Sequence, residues 1–172
     1  MKPGNKEFPL QLELFARNPD LVDIDESAHL TPIPVGDDLT SLSAVLMNDD
    51  YYYFLLEHSI VEESQLHRTN MEALICLKAK AYLEIMERIS QGSKEDSKQI
   101  RKHKGDIFRL EMMLTEEDLF DLPENIHQDL QAFADVVAAD LPDKTIFKEM
   151  GAENVGVAQV FAQLINSFKL NA

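Results

Sequence analysis

The chain has 172 residues, of which 45% are hydrophobic and 27% are charged, a composition typical of one globular domain or slightly more. Its formal net charge is −15 (16 − 31), so broad electrostatic binding to a nucleic-acid backbone or an anionic membrane is not expected. Cys76 is the only cysteine, which excludes an intrachain disulfide and a cysteine-based zinc site. A reducing, cytoplasmic location fits, and we expect neither a signal peptide nor a membrane span.

The first part of the chain, residues 1–68, is rich in proline and in short β-type runs. Leucines alternating with mostly polar neighbours predict a strand over residues 8–15. Prolines predict an extended edge strand or strap over residues 30–35. Residues 41–47 fit either a strand or a short helix. Residues 49–57 favour a short helix, followed by a strand or a loop.

The second part, residues 69–172, has the apolar periodicity of helices. Helices are predicted over residues 71–90, from residue 94 or 97 to 114, from Pro123 to just before Pro142, and over 155–168. We therefore predict an α+β protein. A small N-terminal mixed sheet is expected to pack on a predominantly helical C-terminal half as one continuous domain.

Lys78 lies in the middle of the apolar face of the predicted 71–90 helix, where an ammonium group is costly to bury without a partner. It can extend along the helix to solvent or meet a structural carboxylate. Alternatively it points into a cleft and holds an anionic group such as a phosphate. Lys80 falls on the opposite, polar face, and we expect it to be solvated.

Asp106 lies at the edge of the apolar face of the next predicted helix, with Lys102 four residues before it and Arg109 three after. This spacing predicts a surface ion-pair cluster. Alternatively, the Asp106 carboxylate faces the same cleft as Lys78. The neighbouring Gly105 costs about 1 kcal/mol relative to alanine in a helix, so it indicates either close packing or a weak point.

Two further features have both a functional and a structural interpretation. Glu13 lies on the first predicted strand between two leucines, where it can present a carboxylate to a divalent cation, although an exposed sheet face explains it equally well. The only cationic cluster, residues 93–104, is either a solvated helix face or a contact with RNA phosphates or an acidic partner. After Lys94, the lysines and the arginine of this cluster are Lys98, Arg101, Lys102 and Lys104.

Two segments carry a resemblance to a known family. LICLKAKAYL (residues 74–83) and SKQIRKHKGDIFRL (residues 97–110) together resemble the AbiEii toxin family of bacterial nucleotidyltransferase-like proteins, in the polymerase-β-type superfamily. That family has a K-x-x-A helix, which Lys78 and Ala81 match. It also has basic residues leading into D-x-x-D-L. The residues that match this second motif are Lys102, Lys104, Asp106 and Leu110. The likeness covers most of residues 8–115.

The resemblance implies NTP-dependent transfer of a nucleotide to an RNA or protein hydroxyl, in a bacterial toxin–antitoxin or abortive-infection system. It implies that Lys78 contacts the nucleoside triphosphate and acts in catalysis. It implies that Asp106, also catalytic, holds this lysine or the acceptor in position. The strand with Glu13 resembles the strand that carries the superfamily's third metal-binding acid, so Glu13 is the expected Mg²⁺ ligand in an active protein.

Two departures from the family pattern bear on activity. The family's G-S loop and Asp-x-Asp strand precede the strand that Glu13 occupies, and we expect this chain to lack them. Arg109 stands where the family has its second aspartate. Because two-metal chemistry needs two carboxylates, we expect a protein that is incomplete or inactive alone. A partner chain, either an antitoxin or the missing N-terminal half, is then implied.

The alternative function belongs to a different class of protein. The chain is then a non-catalytic interaction or regulatory module, the inactive partner in such a defence system. It would bind through its acidic helices or through the apolar face of the 155–168 helix. Exposed apolar residues on that helix would favour this interpretation.

Overall fold

The computed structural model describes residues 13–17, 30–32, 43–47, 49–61, 67–92 and 97–171. They form two compact units, one from the described residues up to Glu57 and the other from those from His58 onward. Strands and helices are both present and helices dominate the second unit, so the predicted α+β class is confirmed. The predicted division near residue 68 rests on composition and stays a prediction.

The first unit contains a three-stranded sheet. Strand β1 (Glu13–Arg17) pairs in parallel with β3 (Ser43–Met47), and β2 (Leu30–Pro32) pairs antiparallel with β3. The sheet order is therefore β1-β3-β2, a mixed sheet as predicted. Ser43–Met47, within the 41–47 segment that fits either a strand or a short helix, thus supplies the central strand. The first strand starts at Glu13, and the predicted residues 8–12 lie outside the described ones.

Helix α1 (Asp49–Glu57) follows the sheet, where a short helix is favoured by the sequence. Two aspartates occupy its first turn, where the positive end of the helix dipole stabilises negative charge. The buried side chains of this helix are Tyr51, Phe54 and Leu55. Their spacing of three and one residues places them on one face, which explains why a run of six apolar residues forms a helix here.

The second unit begins with a two-stranded antiparallel sheet of β4 (Ser59–Val61) and β5 (His67–Thr69). This sheet leads directly into the long helix α2 (Met71–Ser90). The Asn70 N–H donates to the His58 carbonyl at 2.9 Å, and the Asn70 side chain donates to the Glu72 carboxylate at 3.1 Å. The start of α2 is therefore tied to the preceding strand pair.

Helix α2 packs against two other helices, α3 (Ser97–Glu111) and α4 (Glu124–Ala138). A 3-10 helix (Lys144–Met150) and then α5 (Val157–Ser167) follow, and α5 packs against α3. The core between these helices is apolar and aromatic. Its largest fully buried members include Phe108, Phe133, Phe147, Phe168, Ile75, Ile107, Ile126 and Leu130.

The end of α3 differs from the prediction. The helix stops at Glu111 and not at Leu114, because the chain tightens into turns closed by Leu114 N–H donating to the Glu111 carbonyl at 3.0 Å. The side-chain amide of Gln163, on α5, donates to the Glu111 and Leu114 carbonyls at 3.1 and 2.9 Å. A tertiary contact thus satisfies carbonyls that a longer helix would have left open.

Phe133 gives a direct test of this core. Its ring is fully buried and meets Tyr82 of α2 edge-on, with centroids 5.2 Å apart. We expect Phe133→Ala to lower the free energy of unfolding by about 3–5 kcal/mol, since it removes a large buried ring. Val136→Ala, an exposed position on the same helix, should change it by less than about 0.5 kcal/mol. Urea denaturation measures both, and equal effects would contradict the packing described.

Candidate functional site

Lys78 and Asp106, the two residues predicted to share a site, lie in contact. The Lys78 ammonium group of α2 donates to Oδ2 of Asp106 on α3 at 3.0 Å. The side chains are 26% and 23% exposed, so the pair is partly buried but open to solvent on one side. Of the alternatives for Lys78, an ion pair with a carboxylate is therefore the one that the structure contains.

Arg109 is the third member of this site. Its Nη1 donates to Oδ1 of Asp106 at 3.1 Å, and its Nε donates to the carbonyl oxygen of Ile146 at 2.9 Å. Each oxygen of the Asp106 carboxylate therefore has its own cation. We call Lys78, Asp106 and Arg109 the Asp106 cluster. Two cations share one anion, so the cluster carries an excess of positive charge in an otherwise acidic chain.

Gly105 gives the Arg109 side chain the room that it occupies. A Cβ atom at Gly105 would lie 3.3 Å from Nη1 of Arg109 and 3.8 Å from a methyl group of Ile146. The first distance is shorter than an ordinary van der Waals contact, so any larger residue would push the guanidinium group. Of the two interpretations of this mid-helix glycine, close packing is the one that fits.

Lys80 was expected to be solvated, and this prediction is wrong. Its ammonium group lies 3.1 Å from Oδ2 of Asp129 on α4. A second helix therefore lies beside the polar side of α2 at Lys80, which the periodicity of α2 alone does not reveal. The Lys80–Asp129 pair resembles the Lys78–Asp106 pair in exposure and serves below as its matched control.

The predicted cationic cluster divides in the structure. Lys104 is buried and donates to both the backbone oxygen and the Oδ2 of Asp140, each at 2.8 Å, so it is a packing residue and not a solvated one. The hydrogen bond and the charge of Lys104 lower the pKa of the Asp140 carboxyl. Lys98, Arg101 and Lys102 are exposed. The ion pair predicted for Asp106 forms with Arg109.

The predicted metal ligand, Glu13, starts β1 and pairs through its backbone with Ser43. Its side chain lies outside what the structure describes. Across the described residues, no three acidic, histidine or cysteine side chains come together as a metal-ion site would need. The described side chains therefore do not fit a Mg²⁺ centre, and we derive no step through a metal.

Glu111 is a chemically unusual residue that the sequence analysis does not single out. Its side chain is 1% exposed, and burial raises the pKa of its carboxyl to about 7, against the opposing effect of the nearby Ser167 and Gln163 side chains. A signal existed in the sequence. Glu111 follows Ile107 by four residues, so it lies on the apolar face of α3.

The shared carboxylate of Asp106 predicts an asymmetry between the two ion pairs of α2. We expect Asp106→Ala to lower the free energy of unfolding by about 2 kcal/mol, because it leaves both Lys78 and Arg109 without their acceptor. Asp129→Ala should cost about 1 kcal/mol or less, as for a partly exposed pair. Urea denaturation of the two variants measures the difference. Equal losses would mean that Arg109 contributes nothing to the cluster.

Comparison with known protein families, curated proteins and solved structures found no match to this chain. None of the helices in the described residues is long and apolar enough to cross a membrane. The resemblance to the AbiEii family therefore stays a prediction from the two segments that carry it. The Asp106 cluster is the structural feature that bears on function.

Proposed function

We propose that this chain is a nucleotidyltransferase-like protein of the AbiEii type that binds a nucleoside triphosphate through Lys78 and does not transfer nucleotides by itself. The observation that carries the proposal is the 3.0 Å contact between Lys78 and Asp106, two residues that lie 28 positions apart in the sequence. The family pattern pairs residues in these roles, with the aspartate holding the lysine in position. The proposal places the protein in the cytoplasm of a bacterium as part of a defence or toxin–antitoxin system.

The chemistry of the cluster suits the binding of phosphate groups. Lysine supplies a compact positive charge, and arginine supplies a planar set of donors that matches phosphate oxygens. Asp106 holds both cations on one side of α3, which reduces the side-chain entropy lost when an anion binds. The cluster holds two cations and one carboxylate, and this excess positive charge favours the approach of an anion although the chain as a whole is acidic.

Nucleotide transfer would need carboxylates that hold Mg²⁺, and we propose that another chain supplies them. Glu13 remains the candidate ligand from this chain, joined by acidic residues of a partner chain such as an antitoxin. The isolated chain is then expected to bind nucleotide without transferring it. An RNA hydroxyl is one candidate acceptor. Its binding would weaken steeply with salt, because phosphate contacts release counterions.

A protein-interaction module is the second candidate function. The apolar residues of α5 do not support it, because Val160, Leu164 and Phe168 at that end of the chain are buried. The segment between α3 and α4 does: Met113 is 57% exposed and Leu119 is 55% exposed. Large exposed apolar side chains that lie close in sequence are typical of partner surfaces. This candidate predicts no nucleotide binding.

Isothermal titration with ATP, CTP, GTP and UTP in Mg²⁺ tests the proposal. We expect the wild-type chain to bind at least one nucleotide and Lys78→Ala to bind it at least about tenfold more weakly, a loss of about 1.4 kcal/mol. The control is Lys80→Ala, which also breaks a partly exposed ion pair of α2 and should leave the affinity unchanged.

Three outcomes would contradict the nucleotide site. They are absence of binding at millimolar nucleotide, an equal loss in the two lysine variants, and unchanged affinity in Lys78→Ala. Absence of binding by a folded wild-type chain would favour the interaction module. Circular dichroism of each variant establishes that a lost affinity is not lost folding.

A further inference from the structure

The carboxyl group of Glu111 lies at the C-terminal end of α3, against α5. It is 1% exposed, and neither oxygen has a hydrogen-bond partner among the described residues. The hydroxyl of Ser167, at the end of α5, is likewise fully buried and has no partner there. Gln163 is a residue of α5, and its side-chain amide reaches α3, where it donates to the Glu111 backbone carbonyl at 3.1 Å. Two unsatisfied polar groups thus share one helix–helix contact.

Among the described residues, none of the groups that shift the pKa of Glu111 is a cation. The facing helix α5 (VAQVFAQLINS) contains no ionisable side chain. From the turn after α3, the Asp118 carboxylate raises the Glu111 pKa further, and the neighbouring Glu116 and Glu117 are exposed acids. The carboxyl also stands at the negative end of the α3 dipole, which disfavours an anion. A buried carboxylate with no cationic partner and with like charges nearby is strongly unfavourable.

We propose that Glu111 is the proton-sensitive contact that holds α5 against α3: its neutral form closes the contact, and its ionisation loosens α5. The neutral acid brings no charge into the contact, whereas the carboxylate brings a full negative charge that the neutral Ser167 and Gln163 side chains offset only in part. The other contacts of α5 include the Phe108–Phe161 ring stack at 6.2 Å and the Phe120 N–H bond to the Ser167 carbonyl at 2.8 Å. This inference does not rest on the proposed nucleotide site.

The direction of the pH effect follows from proton linkage. The Glu111 carboxyl has an ordinary pKa of 4.5 and a pKa of about 7 when buried, so the closed form binds the proton more tightly. The free energy that protonation of Glu111 contributes to closure is therefore fully present below about pH 4.5 and is lost as pH rises through about 7. For this single group, the equilibrium constant for opening α5 rises about tenfold between pH 6 and pH 8.

Hydrogen exchange of the α5 backbone amides, read by mass spectrometry at pH 6 and pH 8, tests the inference. Rates are corrected for the base catalysis of exchange itself. We expect the corrected opening constant of residues 157–167 to rise about tenfold in the wild-type chain and to stay constant in Glu111→Gln, which is neutral at both pH values. Glu117→Gln, an exposed acid in the adjacent turn, should retain the wild-type response.

The inference is overturned if α5 of the wild-type chain shows no pH response, or if Glu111→Gln responds as the wild type does. A second measurement does not depend on any variant. Carboxyl carbon NMR of the glutamate-labelled wild-type chain should show one glutamate titrating near pH 7. Titration of every glutamate near pH 4.5 would exclude a buried neutral Glu111.

Discussion

Two lysines of α2 connect this helix to the two helices that pack against it. Residues two positions apart on a helix are rotated by about 200°, so Lys78 and Lys80 leave α2 on opposite sides. Lys78 meets Asp106 on α3, and Lys80 meets Asp129 on α4. Apolar burial supplies most of the stability, but it is non-directional. The two ion pairs join the middle of α2 to one specific carboxylate on each neighbouring helix.

The sequence predicts what is local to one helix. The periodicity of residues 71–90 predicts the bounds of α2, and the structure confirms them. It also places Lys78 on the apolar face, where the structure pairs it with a carboxylate. The sequence does not predict which helix covers which face, because periodicity describes one helix and not its neighbours. Lys80 illustrates this: the periodicity of α2 places it on the polar face, but only the structure shows that Asp129 of α4 lies beside it. The contact between Lys104 and Asp140 is likewise not visible from the periodicity of α3.

Contacts between distant parts of the chain account for the remaining differences. The last carbonyl of α3, that of Glu111, accepts a hydrogen bond from the side chain of Gln163, more than fifty residues later. From the sequence, Gly105 indicates either close packing or a weak point in the helix. The Arg109 side chain, which lies close to the Gly105 backbone, shows that it is close packing. The position that departs from the family pattern, Arg109, thus proves to be part of the cluster. If the proposed relationship to the AbiEii family holds, Arg109 is a cation where the family has a carboxylate. A second cation favours the binding of phosphate, whereas a carboxylate favours the binding of a metal ion.

The burial of Lys104 has a consequence for the covalent chemistry of the chain. Its ammonium group binds the Asp140 carbonyl, two residues beyond the end of α4, whereas Lys98 and Lys102 on the same helix as Lys104 face solvent. An acylating reagent will therefore modify those two lysines rapidly and reach Lys104 only when its contact with Asp140 opens. The acylation rate of Lys104, measured against the rates of these two lysines, thus records how often that contact opens.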